Sequence, residues 1–207
     1  MTEDIKDEEI LPGGDSAGTD NYGDDAIVTL SWNEHIRRRP GMYIGKLGDG
    51  SSADDGIYVL LKEVLDNAID EYMMGFGKQE DVTVTDSTVT VRDFGRGIPL
   101  GKLVEASSRM NTGGKYDSKA FKKSVGLNGV GIKAVNALSS DFMIQSVRQG
   151  KLKRVQYCRG EVISETPIVD TDEKDGTFVQ FTPDSEVFRD YHYRDEFIVP
   201  LLKNYTF

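Results

Sequence analysis

The most constraining feature of this sequence is the spacing of apolar residues downstream of Asp54. Ile57, Leu60, Leu61, Val64, Leu65, Ala68, Ile69, Tyr72 and Met73 alternate steps of three and one, the pattern of an amphipathic helix with one buried face. Gly75 and Gly77 end it. Immediately afterwards the period changes. Val82 and Val84, then Val89 and Val91, alternate with threonines around a turn at Asp86-Ser87, which reads as a β-hairpin. A long helix feeding a hairpin commits the chain to packing helix against sheet.

The same alternation predicts strands over Phe142–Val147, Leu152–Tyr157, Val162–Thr166 and Thr177–Phe181, with a turn at Gln149-Gly150. A short helix is expected at 102–110, another from Ile132 to Leu138, and a last one carrying Phe197, Ile198, Leu201, Leu202 and Tyr205 despite Pro200. Residues 111–131 form a long, glycine-rich, basic loop. The expected class is α+β, a two-layer sandwich with helices on one face of a mixed, mostly antiparallel sheet.

Charge divides the chain unevenly. The net charge is −10, but residues 1–25 hold nine acids against one base, Lys6, while the remaining 182 residues are nearly neutral. The tail is expected to be disordered, followed by one domain over 26–207. The body lacks the basic surplus that dominates nucleic-acid affinity, so only weak DNA binding is expected. No run of about 18 apolar residues predicts a membrane span. No basic start followed by an apolar stretch marks a secretory signal. Cys158 is the only cysteine, which excludes an internal disulfide and fits a reducing, cytoplasmic setting. His35 and His192 have no cysteine near them in sequence, which disfavours a zinc site.

A second stripe runs along the long helix. Glu63, Asp66, Asn67 and Asp70 share a face. Such a stripe is ordinarily solvated. Alternatively, Glu63 supplies a carboxylate that deprotonates water and Asn67 a hard oxygen ligand for Mg²⁺. Asp93-x-Gly95-x-Gly97 follows a strand, as either a capped turn or a loop against which a base can lie. Gly113-Gly114-Lys115 and Gly126-Leu127-Asn128-Gly129-Val130-Gly131 bracket the long loop, and glycine amides leading into a helix suit an anion. No Gly-x-x-x-x-Gly-Lys-Ser/Thr run is present, which excludes a P-loop, and no Gly-x-Gly-x-x-Gly opens a βαβ unit. Residue chemistry alone thus reaches a possible Mg²⁺-nucleotide site.

Five blocks in this order resemble the GHKL ATPases, which share the Bergerat nucleotide-binding fold. They are Arg38-Arg39-Pro40-Gly41-Met42-Tyr43-Ile44-Gly45, Glu63-Val64-Leu65-Asp66-Asn67-Ala68-Ile69-Asp70-Glu71, Gly95-Arg96-Gly97-Ile98-Pro99, Asn111-Thr112-Gly113-Gly114-Lys115-Tyr116 and Val135-Asn136-Ala137-Leu138-Ser139. Within that family they look like the B subunits of bacterial type II DNA topoisomerases, topoisomerase IV more than gyrase. Asn128 stands where many relatives have His, Phe121 where the lid often has Tyr, and Phe94 where a second acid is frequent.

The resemblance implies an ATPase with ATP and Mg²⁺. Glu63 would be the general base and Asn67 the Mg²⁺ ligand. Asp93, helped by Thr177, would accept from the adenine amino group, with Gly95, Gly97, Ile98 and Pro99 walling the pocket. Arg96, paired with Glu71, and Arg148 would stand at its rim. Gly113, Gly114, Lys115 and the run from Gly126 through Leu127, Asn128, Gly129 and Val130 to Gly131 would close over the phosphates. Tyr22 and Ile27 would belong to an arm reaching into a second subunit. The implied partners are a homodimer mate, a DNA-cleaving A subunit in a heterotetramer, DNA as substrate of the whole enzyme, and adenine-pocket inhibitors. A following transducer domain is expected to be missing, as in a truncated form, leaving slow turnover. The competing expectation is a nucleotide-binding dimerisation module that does not hydrolyse ATP.

Overall fold

The computed structural model describes residues 29–110 and 129–206. Ser31–Phe207 form one compact unit and Met1–Leu30 a separate one, of which only Thr29 and Leu30 are described.

The larger unit opens with two short helices. The first, α1 (Trp32–Arg38), starts at a capping box in which Ser31 and Glu34 satisfy each other's backbone donors. Pro40 enforces the break before α2 (Gly41–Ile44). Neither helix was expected from the sequence, because both are too short to display a period. The long helix α3 (Gly56–Met73) follows, and its apolar stripe is the buried one. Leu60, Leu61 and Leu65 are completely enclosed, each stabilising the fold by about 1.5–3 kcal/mol.

The hairpin β1 (Glu80–Val84) and β2 (Val89–Asp93) comes next. A single 3₁₀ turn leads into α4 (Leu103–Ser108), shorter than the predicted 102–110. α5 (Gly131–Ala137) precedes β3 (Ser139–Arg148), β4 (Lys151–Cys158), β5 (Glu161–Glu165), the two-residue β6 (Val169–Asp170) and β7 (Gly176–Pro183). α6 (Asp195–Lys203) keeps Pro200 inside it and ends before Tyr205, two residues short of the expected apolar stretch.

Among the described residues the strands form one sheet in the order β1-β2-β7-β3-β4-β5, with β6 also on β4. Every pairing among them is antiparallel, in line with the expected mostly antiparallel sheet. β7 lies between β2 and β3, so the chain's last strand completes the centre of the sheet. The register places side chains in rows facing the helices. One row is Val84, Val89, Phe181, Phe142 and Tyr157; the next is Val82, Val91, Val179, Ile144 and Val155. α3, α4 and α5 pack on these rows. The following row is polar. It carries Glu80 opposite Asp93 and Thr177 opposite Ser146.

Two arginines serve the scaffold. Arg37 reaches the buried Asp184 at 2.7 Å and the Ala137 carbonyl at the end of α5 at 3.1 Å, while Arg159 holds the same Asp184 at 2.9 Å.

Candidate functional site

The polar row ends the sheet beneath the second half of α3, and the site is built there. Asp93 is the last residue of β2 and 9% exposed. Its Oδ1 accepts the Gly95 N–H at 2.9 Å and the Thr177 N–H at 3.1 Å. Burial pushes the carboxyl up from its ordinary range, and the two backbone donors oppose that only in part. Thr177 is within reach only because β7 inserts beside β2.

The loop after Asp93 is pinned on two sides. Glu71, on the last turn of α3, takes the Arg96 N–H and Nε at 3.0 Å each on Oε2 and Nη2 at 2.9 Å on Oε1. Burial alone would raise the Glu71 carboxyl; the Arg96 bonds outweigh it and hold it below its usual range. On the other side, β3 supplies Ser146 Oγ to the Ile98 carbonyl at 2.7 Å and Arg148 Nη1 to the Gly97 carbonyl at 3.0 Å. Gly97 has φ +70°, and a Cβ there would run into the Val147 carbonyl and the Ser146 hydroxyl. Only glycine gives both the turn and the close approach.

The helix stripe is not a solvated face. Asp66 and Asp70 are 4% and 1% exposed. Asn67 Nδ2 donates to the Glu63 carbonyl one turn back at 2.8 Å, which fixes the side-chain amide on the helix. The Glu63 carboxylate lies so close to Gly131, the first residue of α5, that a Cβ there would overlap Oε2. Gly129, Val130 and Gly131 thus lead into α5 directly beside Glu63, and the buried Lys133 donates back to the Gly129 carbonyl at 2.6 Å. Tyr22, Ile27, Gly113, Gly114, Lys115, Phe121, Gly126, Leu127 and Asn128 lie outside the described residues.

The structure therefore joins Glu71, Asp93, Gly95, Arg96, Gly97, Ile98, Arg148 and Thr177 in one bonded network at the C-terminal end of α3, with Pro99 next in the chain, and sets Glu63, Asn67 and Gly131 together near the middle of the same helix. Four neighbours had no sequence signal. Ser146 sits in an apolar strand, and Phe76 lies under the Arg96 guanidinium, 4.3 Å from its ring centre. Lys133 is a single lysine in a helix. Glu80, directly across the hairpin from Asp93, is pushed up to about 8 by burial and by the Asp93 charge, and its Oε1 is buried without a hydrogen-bond partner.

Comparisons with known proteins show what the chain is similar to. The family model described as histidine kinase-, DNA gyrase B- and HSP90-like ATPase matches residues 52–187. The chain is 52% identical over 180 residues to the B subunit of DNA topoisomerase 4 from Borreliella burgdorferi, covering 87% of this chain and 30% of that protein. It is 38% identical over 178 residues to the B subunit of DNA gyrase from Campylobacter jejuni, covering 82% and 22%. The 43K ATPase domain of Thermus thermophilus gyrase B, solved in complex with an aminocoumarin, superposes with a TM-score of 0.68 at 31% identity, over 84% of this chain and 45% of that one. The chain thus spans less than a third of the length of these two curated relatives. Among the described residues no helix is long and apolar enough to cross a membrane. Matched by that model over residues 52–187, the chain belongs to the histidine kinase-, DNA gyrase B- and HSP90-like ATPase family.

Proposed function

We propose that this chain binds Mg²⁺-ATP and hydrolyses it as the ATPase domain of a type II topoisomerase B subunit, of the topoisomerase IV kind. The supporting observation is that one helix, α3, carries Glu63 and Asn67 on successive turns and, at its C-terminal end, Glu71, which binds the loop that follows Asp93. Adenine would lie against the Asp93–Pro99 loop with its amino group donating to Asp93. Gly95, Gly97, Ile98 and Pro99 form the wall, and Arg96 and Arg148 hold that wall at the rim.

Glu63 accepts the proton of a water aligned for in-line attack on the γ-phosphorus; the bond to the β–γ bridging oxygen breaks, giving ADP and phosphate. The Asn67 amide oxygen and the neighbouring carboxylate are hard donors that fit Mg²⁺, which would offset charge on the phosphate oxygens. Gly113, Gly114, Lys115 and the run from Gly126 to Gly131 supply amides and one cation to the phosphates. In the whole protein, Tyr22 and Ile27 reach a second copy of the same subunit, an A subunit cleaves DNA, and the assembly works in the cytoplasm. The Thermus neighbour was solved in complex with an aminocoumarin, and small molecules that occupy the adenine pocket would inhibit this chain.

Two substitutions test this. Glu63→Ala is expected to retain ATP binding by calorimetry and to lose phosphate release; undiminished turnover removes Glu63 as the base. Asp93→Ala is expected to weaken ATP binding at least tenfold, because a buried donor on the base loses its acceptor, a cost of about 1–3 kcal/mol. Unchanged affinity would displace adenine from this loop. ATP binding without steady-state phosphate release in a longer form of the protein would favour the dimerisation module.

A further inference from the structure

Tyr205 lies just past α6 and donates its hydroxyl to Asp66 Oδ1 at 2.5 Å. The other Asp66 oxygen takes Lys62 Nζ at 2.6 Å from one turn back on α3. Asp66 is buried and sits on the turn of α3 that carries both Glu63 and Asn67. Both of its oxygens are therefore committed, one to its own helix and one to the segment after α6.

α6 does not need this bond to be seated. It is held near the start of α3 by an aromatic cluster, in which the Tyr58 ring meets Tyr193 and Phe197 edge-on with centres 5.8 and 5.5 Å away. The Arg194 N–H donates to Tyr58 Oη at 3.0 Å, and Ile198 is buried. Tyr205 carries a hydrogen bond from this segment to the Glu63–Asn67 turn of α3. Burial and the acids Asp66, Glu80 and Glu63 around it push the phenol far above its ordinary range, so the donor proton persists at neutral pH.

We infer that Tyr205 is a positioning residue that acts through Asp66 to fix the turn presenting Asn67 to the divalent cation and Glu63 to water. The inference rests on reading this site as one for Mg²⁺-ATP. Groups that orient a ligand from behind change metal affinity by about 10–100-fold when removed.

Tyr205→Phe keeps the ring and removes only the O–H, so the aromatic packing of α6 is retained. The test is calorimetry of this chain with a non-hydrolysable ATP analogue, once with Mg²⁺ and once with EDTA. The variant is expected to match the parent about twofold or better in EDTA, where the adenine pocket dominates. It is expected to lose about tenfold of the affinity gained on adding Mg²⁺. A bond that only stabilises the fold would lower the melting temperature and leave the Mg²⁺ gain intact; that result overturns the inference alone. A parent chain with no Mg²⁺ gain overturns the site reading and the inference together.

Discussion

At the scale of single residues, the site depends on where burial meets charge. Asp93 and Glu80 face each other across the hairpin, and both carboxyls are driven up by lost hydration. Asp93 has two backbone donors to compensate, whereas Glu80 Oε1 has no partner. Glu80 is therefore neutral in the fold near pH 7, with a folded value of about 8 above its unfolded one. A raised carboxyl contributes stability in full below the unfolded value, and that contribution is lost as pH rises to the folded value. Glu80→Gln removes this dependence. Its melting temperature is expected to match the parent near pH 4 and to exceed it by a margin that grows up to about pH 8. A constant difference across that range would mean Glu80 is hydrated and ionised.

At the scale of elements, α3 and the Asp93–Pro99 loop are fitted to each other. The helix buries its apolar stripe against the sheet and turns its carboxylates toward the polar row. Its last acid, Glu71, then holds the loop through Arg96. The loop's own conformation depends on Gly97. An alanine at φ +70° costs about 1–2 kcal/mol of backbone strain, and its methyl would also displace Val147 or Ser146 on β3. Gly97→Ala is expected to lower the melting temperature by a few degrees and to weaken nucleotide binding more than tenfold, since the displaced strand carries Ser146 and Arg148. Calorimetry with ADP showing wild-type affinity would mean the loop does not line the base.

At the scale of the whole chain, charge and similarity point in different directions, and the distribution of charge reconciles them. The Borreliella and Campylobacter relatives are subunits of DNA enzymes, yet this chain carries −10. Eight of those charges lie in residues 1–25, the rest of the chain is nearly neutral, and Arg37 is neutralised by Asp184 and Glu186. DNA affinity is therefore expected to be weak, in the range of non-specific contacts or below, at about 0.15 M salt. Fluorescence anisotropy with a duplex showing sub-micromolar binding there would overturn this.

Periodicity made the central elements legible. α3, the hairpin, β3, β4 and β7 each run long enough for apolar spacing to choose between 3.6 and 2 residues per repeat. α1, α2 and β6 are too short for that test and went unseen. The motif residues Glu63, Asn67, Asp93 and Gly97 were legible because their chemistry and order are unusual together. The sequence could not show that β7 enters between β2 and β3 and so delivers Thr177 to Asp93, 84 residues away. Nor could it show Tyr205 on Asp66, separated by 139 residues. Local spacing sets which face of an element is apolar, because that follows from backbone geometry. Which polar groups meet across the fold depends on strand order and on the desolvation of buried groups, and those exist only once the chain has closed on itself.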